Sequence, residues 1–108
     1  MDNIVVVFTM DGCPFCEMMK SQLVESQIDF VERNIREHEE EYQLFVEATG
    51  SEFVPAFMII NDPYGNPKSS AFIPEKDYNT IEEGVQIIKN VMKGWVFLLR
   101  KMGLFITQ

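Results

Sequence analysis

The stretch Asn3-Ile4-Val5-Val6-Val7-Phe8-Thr9-Met10-Asp11-Gly12-Cys13-Pro14-Phe15-Cys16 decides how the chain is read. Residues 3–8 form a β-branched, apolar run of strand length, as expected for a central strand buried on both faces. From Pro14 onward Phe15, Met18, Met19 and Leu23 recur at helical spacing, with Lys20, Ser21 and Glu25 between them. An amphipathic helix to about residue 27 is therefore expected. Pro14 suits its first turn, where a missing N–H costs nothing. Two cysteines thus stand at the junction of a buried strand and a helix.

Outward from this junction the elements alternate. Residues 29–34 read as a short second strand. Residues 37–49 carry Tyr42, Phe45 and Val46 among acidic residues and stop at Gly50, as a second helix would. The run Glu39-Glu40-Glu41 is read as a solvated face near that helix's N-terminus, where the dipole favours it. Residues 54–60 form a third strand with Pro55 at its start, where no ladder donor is lost. The turn-rich residues 62–67 should join it by a hairpin to a fourth strand over residues 68–73. Ile81, Val85, Ile88, Met92, Trp95, Leu99, Met102 and Ile106 then step by four and three along a last helix. Gly84, Gly94 and Gly103 argue against its running unbroken. The expectation is one α/β domain over residues 1–108, with a core at about 3–93 and an apolar C-terminal extension at about 94–108. That extension must pack on its own domain or on a partner.

Composition narrows the function. The 108 residues suit one domain with a real core, and the formal net charge of −8 removes counterion release as a driving force for nucleic-acid binding. No apolar run approaches the ~18 residues of a membrane span, and Met1-Asp2-Asn3 has no basic start of a secretory signal. A cytoplasmic location is expected, and a monomer rather than a dimer. In a reducing compartment two cysteines are too few for a disulfide scaffold, so their role should be chemical.

Cysteines three apart on a helical turn lie about 5–6 Å from each other, a separation that a disulfide bridges with little strain. The pair can then open and close without moving the fold. Cys13 falls at the helix N-terminus, where unpaired N–H groups and the dipole stabilise a thiolate; Cys16 lies one turn inside. Cys13 is therefore the candidate nucleophile and Cys16 the resolving thiol. Asp11 and Glu17 oppose the thiolate and no Lys or Arg flanks the motif, which predicts a moderately activated nucleophile and a reducing couple. A zinc site would need four ligands, and His38 is the one further candidate, so no metal is expected.

In this order of elements the chain resembles a glutaredoxin within the thioredoxin superfamily. Cys13-Pro14-Phe15-Cys16 is similar to the family's dithiol active site with Phe15 for the usual tyrosine, and Gly50 followed by Phe53-Val54-Pro55 is similar to its glycine and Thr-Val-Pro segment. The resemblance implies a thioredoxin fold, a four-stranded mixed sheet in the order β-α-β-α-β-β-α. It implies that Cys13 and Cys16 are catalytic and that Phe15, Phe53, Val54, Pro55 and Asp77 meet substrate. Pro55 would be a cis-proline facing the disulfide, and Val54 would offer backbone hydrogen bonds to glutathione or a peptide. No cofactor would be bound; glutathione would be the electron donor, and disulfide-containing proteins or glutathione the partners. Two departures stand out: Phe53 replaces threonine, and Ile73-Pro74-Glu75-Lys76-Asp77 stands where the family carries Gly-Gly-x-Asp. Three other readings stay open: a hydrogen donor re-reduced by thioredoxin reductase, a binding module with incidental cysteines, and an iron–sulfur carrier.

Overall fold

The first strand, β1 (Asn3–Thr9), lies inside the sheet, parallel to β2 (Val31–Asn34) on one side and antiparallel to β3 (Ala56–Asn61) on the other. β3 pairs in turn with β4 (Lys68–Phe72), which gives the order β2-β1-β3-β4. The computed structural model describes residues 3–61 and 68–101. The expected hairpin turn over residues 62–67 lies outside them, as do residues 102–108.

Period-2 alternation sends successive β1 side chains to opposite faces, and both faces are covered. Val5 and Val7, with Phe57 and Ile59 across the register, pack under Met19 and Leu23 of α1 (Pro14–Glu25) and under Ile81, Val85 and Ile88 of α3 (Ile81–Lys101). Val6 and Phe8 pack instead on Tyr42 and Phe45 of α2 (Glu39–Thr49). Phe8 is the centre of this second layer, its ring 4.7 Å from that of Phe45 and 5.8 Å from that of Tyr42. The uninterrupted apolar run of β1 is the mark of a strand that feeds two cores.

Both early helices stop by left-handed geometry. α2 ends at Gly50, φ 75°, whose amide donates to the Val46 carbonyl. α1 ends two residues short of residue 27, because Gln27 itself takes the left-handed position (φ 59°) and the Ile28 amide closes back on the Leu23 carbonyl.

Two expectations are corrected. The apolar stripe of α1 splits: Cys16, Met19 and Leu23 are buried, whereas Phe15 and Met18 face outward. And α3 runs on as one helix through Gly84 and Gly94. The reason at Gly84 is packing. A Cβ there would lie 3.0 Å from Met19 Cε and 3.2 Å from the Tyr78 ring, so glycine lets α3 seat closely against α1. The side chains of the expected apolar extension lie outside the described residues. None of the described helices is long and apolar enough to cross a membrane.

Candidate active site

β1 delivers the chain to the site and α1 carries it away. Between them Gly12 takes φ 70°, a conformation with no penalty for glycine, and turns the backbone so that Cys13 becomes the N-cap of α1. Pro14 occupies the first helical position. Cys13 and Cys16 form a disulfide with their Cα atoms 5.2 Å apart, and the Cys16 amide donates to Cys13 Sγ at 3.1 Å. One of the orphan donors of the helix terminus is thereby aimed at the outer sulfur, which favours negative charge there. Cys13 keeps slight exposure, 7%, and Cys16 has none. A reagent therefore reaches Cys13 first.

The carboxylates that flank the motif are better compensated than their sequence positions imply. Asp11 accepts from the Asn34 side-chain amide at 2.8 Å and pairs with Arg36 at 3.4 Å. Glu17 pairs with Lys20 at 2.9 Å. Lys20 also reaches Glu32 at 3.0 Å, and Glu32 accepts from the Thr9 hydroxyl at 2.7 Å. The Glu17 and Glu32 side-chain contacts hold the Lys20 ammonium above its ordinary range. Thr9 and then Lys20 hold the Glu32 carboxyl below its own, against the opposing pull of burial. The cations missing beside the cysteines in the chain are supplied by Arg36, in the turn after β2, and by Lys20, one turn further along α1.

An open groove of about 480 Å³ takes Phe15, which stands between the two cysteines in the chain, into its lining, although neither Cys13 nor Cys16 lines it. Phe15 and Met18 of α1 form one wall, and Phe53, Val54 and Pro55 another, with Tyr78 among the remaining lining residues. The Val54–Pro55 bond is cis. The wall segment is tied down at three points. The Tyr42 hydroxyl donates to the Glu52 carbonyl at 2.6 Å, the Phe53 amide donates to Ser51 Oγ at 3.3 Å, and the Tyr78 hydroxyl donates to the Pro55 carbonyl. Burial pushes the Tyr78 phenol far above its ordinary range.

Of the residues expected at the site, Phe15, Phe53, Val54 and Pro55 meet around this groove. Asp77 does not line it. Its carboxylate accepts from the Ile73 amide at 2.8 Å and closes the turn over residues 73–77, in which Glu75 takes φ 73°. His38 is the N-cap residue of α2 and lies 3.7 Å from Glu41. Sequence reasoning missed Met18, Tyr78, Glu75 and Glu82 as groove residues. A signal existed for Tyr78: an aromatic ring with a polar end, set in polar sequence just before a helix.

Comparison with known proteins fits this architecture. The solved solution structure of a thioredoxin from Thermus thermophilus matches with a TM-score of 0.53, at 15% identity, over 83% of this chain and 73% of that one. At that identity the likeness is one of fold, and the fold is the thioredoxin fold. No curated protein matches the chain. The glutaredoxin family model matches residues 5–62, more than half of the chain, from the buried core of β1 through the cysteine pair and the cis-proline to the end of β3. The chain belongs to the glutaredoxin family.

Proposed function

We propose that the chain is a dithiol thiol–disulfide oxidoreductase of the Cys-Pro-Phe-Cys type, which reduces protein disulfides or glutathione mixed disulfides. One observation carries the reading: Cys13 caps α1 with its sulfur accepting the Cys16 amide while the same two residues are joined as a disulfide. The pair closes within one helical turn, so oxidation and reduction need no rearrangement of the fold.

In the reduced protein the Cys13 thiolate attacks one sulfur of the substrate disulfide. A bond forms between the two sulfurs, and the other substrate sulfur leaves as a thiolate that takes a proton from water. The Cys16 thiolate, formed as its proton passes to solvent, then attacks Cys13 Sγ. The second substrate sulfur leaves, and the protein is left as the Cys13–Cys16 disulfide. Two electrons have passed from the dithiol to the substrate. Phe15, Phe53, Val54 and Pro55 hold the substrate beside Cys13, and the Val54 backbone is the element that pairs with it. Glutathione is the proposed reductant that restores the dithiol, with a flavoprotein thioredoxin reductase as the alternative.

The test is reduction of a glutathione mixed disulfide, coupled to glutathione reductase and NADPH, beside dithiothreitol-driven reduction of insulin. Wild type, Cys13→Ser and Cys16→Ser are run in parallel. Activity in at least one assay, abolished by Cys13→Ser, is expected; Cys16→Ser should lose insulin reduction first. Wild type inert in both assays would favour the binding module.

A further inference from the structure

Resting on that reading, we propose that the groove selects disulfides carried on polypeptide, with an apolar side chain beside the reacting cysteine and Lys or Arg beyond it, in preference to glutathione. The apolar part rests on exposed rings that the core does not use. Phe15 and Phe53 are each 59% exposed and Met18 is 41% exposed, and all three lie along the groove. Leaving such surface in water costs free energy unless something covers it. The backbone that carries Phe53 is held on both sides, by Tyr42, Ser51 and Tyr78. An exposed aromatic ring carried on a held backbone at the groove wall is a contact surface for an apolar side chain.

The charge of the groove decides the rest. Its charged lining residues are Glu75 and Glu82, and among the described residues that line it there is no Lys, Arg or His. Lys76 opens onto the adjoining hollow, with Asp77 and Asn90. Glutathione brings two carboxylates and one ammonium, a net negative ligand, to a chain of net charge −8. At the neighbouring start of α3 part of the donor set is already taken. The amides of Asn79 and Thr80 donate to Glu83 Oε1 at 2.8 and 3.1 Å, and the Glu83 amide donates to Thr80 Oγ1 at 3.1 Å, a closed capping box. Asp77 is committed to the Ile73 amide. A cationic peptide meets two carboxylates that have no ion-pair partner among the described residues, Glu82 accepting only from the Gln22 side-chain amide at 3.3 Å, and this speeds encounter and fixes orientation.

The experiment follows release of thionitrobenzoate from four mixed disulfides. They are those of glutathione and of the blocked peptides Lys-Phe-Cys-Leu-Lys, Glu-Phe-Cys-Leu-Glu and Lys-Ser-Cys-Ser-Lys. Each is mixed with stoichiometric reduced protein, freed of dithiothreitol, at low and high salt. The leaving group is common to all four, so differences report on the groove. Lys-Phe-Cys-Leu-Lys should react about tenfold faster than glutathione at low salt, with the gap narrowing as salt is added. Phe53→Ser should slow that peptide more than the serine peptide, narrowing the gap between the two. Joint Glu75→Gln and Glu82→Gln should slow both lysine peptides and quicken glutathione. Phe53, Glu75 and Glu82 are exposed, so these variants should fold. Glutathione reacting as fast as the cationic apolar peptide, or a preference that neither variant moves, overturns the proposal. Release unaffected by Cys13→Ser, or none from any probe, would instead defeat the exchange reading on which it rests.

Discussion

The hydroxyl of Tyr78 donates a hydrogen bond to the carbonyl oxygen of Pro55, across 23 residues of sequence. It joins the segment that leads into α3 to the groove wall, and its ring stacks on Phe57 in the core, 5.5 Å between centroids. Tyr78→Phe keeps the ring and removes the donor, leaving a buried carbonyl unpaired, so a loss of about 1–3 kcal/mol is expected in denaturant unfolding. The pH dependence has a definite sign. Burial raises the Tyr78 phenol above its ordinary value near 10, so its contribution to stability is full below that value. It is lost as pH rises beyond 10 toward the folded-state value. Tyr78→Phe should therefore flatten the alkaline limb of the stability profile; an unchanged limb would place the alkaline loss elsewhere, at Tyr42 or Lys20.

Glu32 supplies the opposite limb. The Thr9 hydroxyl and then Lys20 hold its carboxyl below the ordinary value of 4.5. Its contribution is present above that value and is lost as pH falls through the lower folded-state one. The wild type should exceed Glu32→Gln in denaturant midpoint at pH 7, and the difference should shrink by pH 3. With its side chain 39% exposed, Glu32 is partly screened, so the difference should also shrink with added salt.

Gly84 poses a contest between backbone and packing. Alanine would gain about 1 kcal/mol of helix propensity. The added Cβ would meet Met19 Cε at 3.0 Å and the Tyr78 ring at 3.2 and 3.3 Å. The methionine methyl can swing aside, but the Tyr78 ring is held between Phe57 and the Pro55 carbonyl. Overpacking of about 1–3 kcal/mol then outweighs the propensity gain, and Gly84→Ala should destabilise by about 1 kcal/mol. Met19→Leu removes the closest atom, so the alanine substitution should cost less in that background.

The order of elements was legible in the chain because each rests on a local signal: the β-branched run before the cysteines, Gly50 after the second helix, Pro55 at the start of a strand. The cysteine pair was legible for the same reason, since four consecutive residues set its geometry. What escaped was long-range. Phe15 and Met18 look like core residues until the sheet shows which side of α1 it covers. Gly84 looks like a helix breaker until Met19 and Tyr78 are brought against it. Asp11 and Glu17 look uncompensated until β2 and its turn bring up Arg36 and Asn34, and α1 folds Lys20 back. Nor does the chain show that the turn after β4 brings the Ile73 amide onto the Asp77 carboxylate.

The two cysteines differ in surroundings enough to be told apart by reaction rate. With the disulfide closed, Cys13 stands at the N-cap with the Cys16 amide directed at its sulfur and a small window to solvent, while Cys16 is enclosed, and the same surroundings are expected on reduction because the pair spans one helical turn. Alkylation depends on both thiolate fraction and access, and both favour Cys13. Reduced protein treated with iodoacetamide at neutral pH should take one equivalent quickly, at Cys13 by peptide mapping. The second should follow at least about tenfold more slowly. Cys13→Ser should abolish the fast phase and Cys16→Ser should keep it. Because the Asp11 and Glu17 carboxylates already have Arg36 and Lys20 as partners, Asp11→Asn and Glu17→Gln should change the fast rate only slightly. A large acceleration in either variant would show that those carboxylates do restrain the thiolate, as their positions in the chain alone would predict.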